Sequence, residues 1–494
     1  MTRIFSIFRL PFLLIMLLAL AACNRDLAAK TPLLETAVST PIVATTVPSP
    51  TATPSPIRQT AVPLTPSPTI EPATSTPLPT PARTLAFPDY DCPAALATAV
   101  PAPPSAKIAV VFVGTDGIYR WQEAVGQSEL IFPANNVTAL KISDDGQRVA
   151  FTQENKDDAA QGIALWVMDS DGENGRELLS ADDVNSHHAS ENDLYLIPRR
   201  LDWVPGSHTL AYTTIGHRGG LLAEFYDDLH LIDVDSGAVT TLLPPGTGGD
   251  FYYAPDGTQI ALVNDSSLSL VNSDGSNLRP EVLSWQPLGL SHEYHRPSPN
   301  WLPDSTALLI ATSNAQDNID ADYNPDASAT IWRVQADGTT QQLTTAVGAP
   351  LGPAFSPDGR QMMFERVIDD ELTYELHIAA VDNSWNIVYV VSQGMYGQDW
   401  LPDNNGFIIR VNREAPLLGR LCQPPFPLPL PETPDSFVRR IEWIDSSRFL
   451  FTIDKPPQLL LGDLDGMAMP VGSLRQEYFF GVGALTAFDF SFVE

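Results

Sequence analysis

Basic residues are scarce in this chain. Among 494 residues, 28 Lys and Arg stand against 59 Asp and Glu, a formal charge of −31. An excess of that sign repels nucleic acid and anionic lipid alike, so neither fits the surface as a whole. Cysteine is scarcer still, at three, with no pair at the spacing of a zinc site. Catalytic signatures are missing too. There is no Gly-x-Ser-x-Gly elbow for a nucleophilic serine and no glycine-rich phosphate loop. Peptidase and nucleotidase chemistry therefore have no motif to rest on.

The apolar run Phe12 to Leu20 is too short to span a bilayer as a lasting helix. It follows Arg3 and Arg9 and ends in Leu20-Ala21-Ala22-Cys23, which resembles the lipobox of bacterial lipoproteins. The resemblance implies that 1–23 is a signal peptide and that Cys23 is lipidated. The protein would then sit in the cell envelope, on the outer face of a bacterial membrane, held by its lipid alone. Two or more acyl chains give stable anchoring where one does not. Asn24 follows Cys23 where the inner-membrane retention signal of diderm bacteria has Asp.

Residues 24–90 read as a disordered linker. From Thr31 to Tyr90, 33 of 60 residues are Pro, Thr or Ser. Such a stretch buries too little apolar surface to offset its chain entropy. Proline biases it toward an extended form, with a reach of about 180 Å. Cys92 and Cys422 lie beyond it, and in an oxidising compartment they either pair or remain free.

Residues 91–494 carry a repeat: an aromatic or apolar residue, a small step, Pro-Asp or a polar stand-in, Gly or Ser, then a β-rich run. The copies begin at Ile142, Trp203, Tyr253, Trp301, Phe355, Trp400 and Trp443, at spacings of 61, 50, 48, 54, 45 and 43. Pro sets the first corner of a tight turn, Asp caps it, and Gly or Asn tolerates the left-handed position. Four strands per unit of this length make a propeller blade. Phe355-Ser-Pro-Asp-Gly359 and Ala336-Asp-Gly-Thr-Thr-Gln-Gln-Leu-Thr344 resemble the TolB-like, Trp-Asp-repeat-like propellers. That resemblance covers roughly 107–494 and implies an all-β fold, a single propeller. Function does not follow from it, since such rings serve as binding platforms and as parts of enzymes.

The ends of the repeat fit together. Ile108–Val113, Gly117–Trp121 and Glu129–Phe132 read as strands two to four of a blade that lacks its first. Ala487–Phe492 reads as a first strand without a blade, with Phe488, Phe490 and Phe492 on one half-buried side. The expectation is eight four-stranded blades, one shared between the termini, with seven as the alternative.

Arginine marks the candidate ligand site. Arg199 and Arg200 precede Trp203 by four and three residues, Arg439 and Arg440 precede Trp443 likewise, and Arg296 lies five before Trp301. Equivalent positions predict an anion-binding mouth, the alternative being local pairing with Asp202 and Glu442. His187, His188, His292 and His295 fall in two connections of one type, beside Glu191, Asp193 and Glu293. With Gln398 they resemble the metal set of some propeller polysaccharide lyases. Asp320, Asp322, Asn324 and Asp326 alternate like calcium ligands, but Pro325 and Ile331 stand where an EF-hand needs Gly and Glu. The leading expectation is a monomeric, non-catalytic module that recognises a protein or glycan, with no cofactor. The alternative is a metal-assisted lyase or hydrolase acting on an anionic polysaccharide.

Overall fold

The computed structural model describes residues 106–155, 162–186, 195–217, 223–290, 293–314, 327–349, 351–367, 374–391, 395–411, 415–431, 438–475 and 488–493. The signal segment, the linker, Cys92, His187, His188, His292 and the Asp320–Asp326 loop lie outside these residues.

The repeat folds because its turn is locally determined. At the fourth motif position Asp145, Asp256, Asp304, Asp358 and Asp403 each accept the backbone N–H two residues on, at 2.9–3.1 Å. Those bonds, led by the Thr258 and Thr306 amides, hold the Asp256 and Asp304 carboxyls below the usual range. The fifth position is left-handed: φ is 69° at Gly146, 67° at Gly359, 60° at Asn404 and 58° at Ser305. Blade three solves the same corner differently. Pro205 takes the first corner and Gly206, at φ 66°, the second.

Each turn joins an inner strand to the next strand outward. The result is eight four-stranded antiparallel sheets, numbered here as blades one to eight, plus a two-stranded ribbon at Gly289–Leu290 and Glu293–Tyr294. Blade three carries an extra edge segment, Ala223–Phe225. Antiparallel order places the motif turns and the strand-three-to-four turns on one face. The strand-two-to-three hairpins and the blade-to-blade connections lie on the other.

Closure of the ring is direct. Lys107–Val113 pairs with Phe488–Val493, setting Val110 opposite Phe490 and Phe112 opposite Phe488. One apolar cluster joins Phe488, Phe112 and Trp121 to Leu450 and Leu461 of blade eight. Another joins Val111 and Ile118 to Leu140 and Phe151 of blade two. The shared blade is thus packed on both faces. Phe492 departs from the expected alternation: it is 48% exposed, because at the strand's end its ring rests edge-on against Phe490, 5.9 Å between centres, and not in a seam.

A second register repeats along the ring. Three residues before the strand-three turn, a large side chain faces a partner across on strand two. The stacked pairs are Tyr119 on Phe112, Trp166 on Phe151, His230 on Tyr212 and His377 on Phe364. The two histidines take bonds that keep them in place. His230 Nε2 is 3.0 Å from Asp228, and His377 Nε2 is 3.2 Å from Glu375, each carboxylate two residues earlier on the same side of the strand. Strand four closes each set through Thr241 and Asn386.

Candidate functional site

The inner strand of blade three, Tyr195–Trp203, contains a bulge. Pro198 pairs with Thr214 and Leu201 with Tyr212, so Arg199 and Arg200 together face Thr213. Successive side chains of a regular strand point to opposite faces, and a bulge re-aims them. Here both arginines reach blade four. The Arg199 guanidinium bonds the Asp250 carboxylate, while the Arg200 guanidinium lies over the Tyr252 ring at 3.9 Å. Asp250 and Tyr252 both belong to the short inner strand Asp250–Tyr253.

Arg296, in the connection from blade four to blade five, completes this seam. Its Nε donates to Asp265 (2.7 Å) and its Nη1 to Asp227 (2.6 Å), with Asp250 at 3.6 Å. Arg199 and Arg296 both lie 4.3 Å from the centre of the Phe225 ring. The Arg296 and Asp250 side chains are 6% and 8% exposed. Burial pushes the Asp227 carboxyl up although Arg296 opposes it. Burial also works against the Arg296 charge, and Asp227, Asp265 and Asp250 together more than offset that. Two guanidiniums facing three carboxylates are a closed ion network, with the arginine donors already engaged.

The structure therefore brings Arg199 and Arg296 together, but against acids that the arginine spacing does not reveal. Arg200 makes no ion pair among the described residues. Arg440 is elsewhere: it bonds Glu442, as the local-pairing alternative expects, and lies over Phe488 of blade one at 4.4 Å. Asp202 faces Lys141 at 3.8 Å instead of an arginine. Arg439 and Gln398 are placed by their backbones on inner strands, and their side chains fall outside the described residues. Of the candidate metal set only His295 is described. Its backbone N–H donates to Leu288 O at 2.8 Å. Among the described residues no group of three His, Cys, Asp or Glu is arranged to hold a metal. Cys422 is disulfide-bonded, and the other two cysteines lie outside the described residues.

Sequence reasoning missed the position just before the motif aromatic. In blades two to five it holds Lys141, Asp202, Tyr252 and Asn300; in blades six to eight and one, Ala354, Asp399, Glu442 and Asp489. Lys141, Asn300 and Asp489 reach the following blade. Lys141 meets Asp202, Asn300 Nδ2 donates to Ser356 O (3.4 Å), and Asp489 Oδ2 accepts the Ile142 N–H (3.0 Å). Burial pushes the Asp489 carboxyl up to about 6, with Lys141 opposing and Glu442 adding to the shift. From blade five to blade eight this ring borders a hollow of about 510 Å3, lined also by Phe355, Trp400 and Trp443. Pro357 and Pro402 of the motif turns line it as well, which puts it at the end of the channel opposite the arginine seam. The signal in the sequence is there only when the copies are aligned: Ala354 is the one small side chain in the ring.

No family model matches the chain, and no curated protein matches it. Solved structures resemble it at low identity. TolB from Acinetobacter baumannii is 14% identical over 74% of this chain and 80% of its own, with a TM-score of 0.31. The β-propeller domain of the trilobed protease from Pyrococcus furiosus is 11% identical over 69% and 97%, at 0.40. A putative 6-phosphogluconolactonase from Bacteroides fragilis is 12% identical over 65% and 92%, at 0.35. The propeller assignment stands on the strand pairing itself.

Proposed function

We propose that this chain is a bacterial surface lipoprotein, held through Cys23 and the 24–90 linker, whose propeller is a non-catalytic binding module for a protein or glycan. The observation that carries the binding reading is the hollow on the channel. It sets partly exposed aromatic rings beside the fixed polar groups of Asn300, Asp399 and Glu442, and convergent polar groups of this kind give a concave site its orientation and specificity. The closed arginine seam speaks against an anionic ligand at the other end, because the Arg199 and Arg296 guanidiniums are already paired with acids. No described contact favours the metal-assisted lyase.

The anchoring reading rests on Leu20-Ala21-Ala22-Cys23 after an uncharged apolar run. If Cys23 carries lipid, Cys92 is the cysteine left to pair with Cys422, and the bond ties the end of the linker to blade seven. Two measurements test the whole. Metabolic labelling with a fatty-acid analogue labels the wild type and not Cys23→Ala; equal labelling of both removes the anchor. Co-purification from intact cells, with the anchor retained, returns a stoichiometric partner or a glycan. Recovery of the chain alone, with no ligand in any binding screen, removes the module.

A further inference from the structure

We propose that the hollow bordered by blades five to eight binds one neutral sugar unit of a glycan. This rests on the binding-module reading and names its ligand class. The hollow exists because Ala354 leaves a gap where the equivalent Tyr252 fills the ring and stacks on Arg200. Its walls are fixed before any ligand arrives. The Trp400 indole donates to Ala354 O (3.0 Å), and Trp443 packs on Phe449 with 4.9 Å between ring centres. Phe355 and Trp443 stay partly exposed, and aromatic surface of this kind suits the C–H face of a sugar ring.

The polar groups choose the charge of the ligand. Asp399 accepts from Arg410 at 3.0 Å, and Glu442 is bonded by Arg440. Each carboxylate is thus aimed by its own arginine and balanced by it. A carboxylate has about four acceptor directions and one arginine leaves some open, so each remains an acceptor for a hydroxyl. Their side chains are 42% and 28% exposed, within reach of a ligand. Asn300 adds an amide that donates and accepts. Two acids against two guanidiniums give no net attraction to an ion of either sign. A neutral polyol, apolar on one face and hydroxylated at its edge, matches this set; a uronate or a run of lysines does not. Rigid walls also lower the ordering cost of binding.

The test uses the full chain on an array of neutral, uronate-containing and sialylated oligosaccharides, together with basic and acidic peptides, at low and high salt. Hits are then titrated by calorimetry. Binding of neutral oligosaccharides that is insensitive to salt, and about tenfold or more weaker in Ala354→Leu, is the expected result. Glu442→Gln, which keeps the volume, weakens it as well and decides the matter if Ala354→Leu fails to fold. Binding confined to charged glycans or peptides, or neutral binding unchanged in the variants, overturns the proposal. If all oligosaccharides fail while a partner protein still co-purifies from cells, the sugar site falls and the binding module stands. If both fail, both fall.

Discussion

Two sides of the ring, at blades three and four and at blades six to eight, use the same inner-strand positions to opposite effect. At the seam of blades three and four, a bulge sends Arg199 and Arg200 onto Asp250 and Tyr252, and Arg296 closes the gap against Asp227 and Asp265. At blades six to eight the equivalent ring residue is Ala354, the neighbouring acids pair within their own blades, and a hollow remains. Blade architecture is the same in both places. What differs is whether a charged side chain reaches across the seam. A cross-seam ion network fills space and commits its donors, whereas an in-blade pair keeps its groups in place without closing the channel.

The strongest way to break this comparison is at the closed seam. Arg296→Met removes the cation shared by Asp227, Asp250 and Asp265 and leaves acids buried without it. Removing one partner of such a network costs about 3–5 kcal/mol. Arg410→Met, at the pair beside the hollow, costs less, because Asp399 stays 42% exposed to water. Urea denaturation of both variants measures the contrast. Equal losses would show that the two pairings hold the ring alike.

Asp489 tests the closing strand, where the ring positions of blades one and two meet. Its carboxyl is raised to about 6 from an ordinary value of 3.8, burial being the main cause. The folded state therefore holds the proton more tightly than the unfolded chain does. Stability from this group is greatest in acid and is lost as pH rises from about 4 to above 6. At pH 7.5 the ionised form costs on the order of 3 kcal/mol. Asp489→Asn keeps an acceptor for the Ile142 N–H and so stabilises the domain at pH 7.5, with the gain vanishing near pH 4. A gain that does not depend on pH would mean that packing, and not charge, is at work.

The ring was legible in the sequence because its signal is local. Motif turns such as Phe355-Ser-Pro-Asp-Gly359 carry their own hydrogen bonds and left-handed residue, so each copy announces a blade without its neighbours. The shared blade was legible from the strands left over at each end. The site was not. Arg296 and Asp227 are 69 residues apart, and nothing near either one marks the other as its partner. The hollow depends on a small residue at one ring position, which stands out only once the channel-side register is known. Phe492 marks a further limit: alternation shows which side of the strand it shares with Phe488, but not where the seam stops.

The smallest expected difference lies between two tryptophans at the same motif position. Trp301 donates its indole N–H to Tyr252 O at 3.0 Å, the carbonyl of the filled ring position in the preceding blade. Trp443 stands one blade after Asp399 and borders the hollow. Its indole nitrogen is buried with no acceptor among the described residues. Replacement by Phe removes comparable ring volume at both sites, so that loss is shared. Only at Trp301 does it also remove a made hydrogen bond, worth about 1 kcal/mol net. At Trp443 it removes a buried donor without a partner, which offsets part of the packing loss. Trp301→Phe is therefore expected to be the more destabilising by about 1–2 kcal/mol, measured by denaturant midpoint at unchanged slope. A reversed order would mean that the Trp443 nitrogen finds an acceptor in solution, and that the channel end at blades seven and eight is more tightly closed than its geometry indicates.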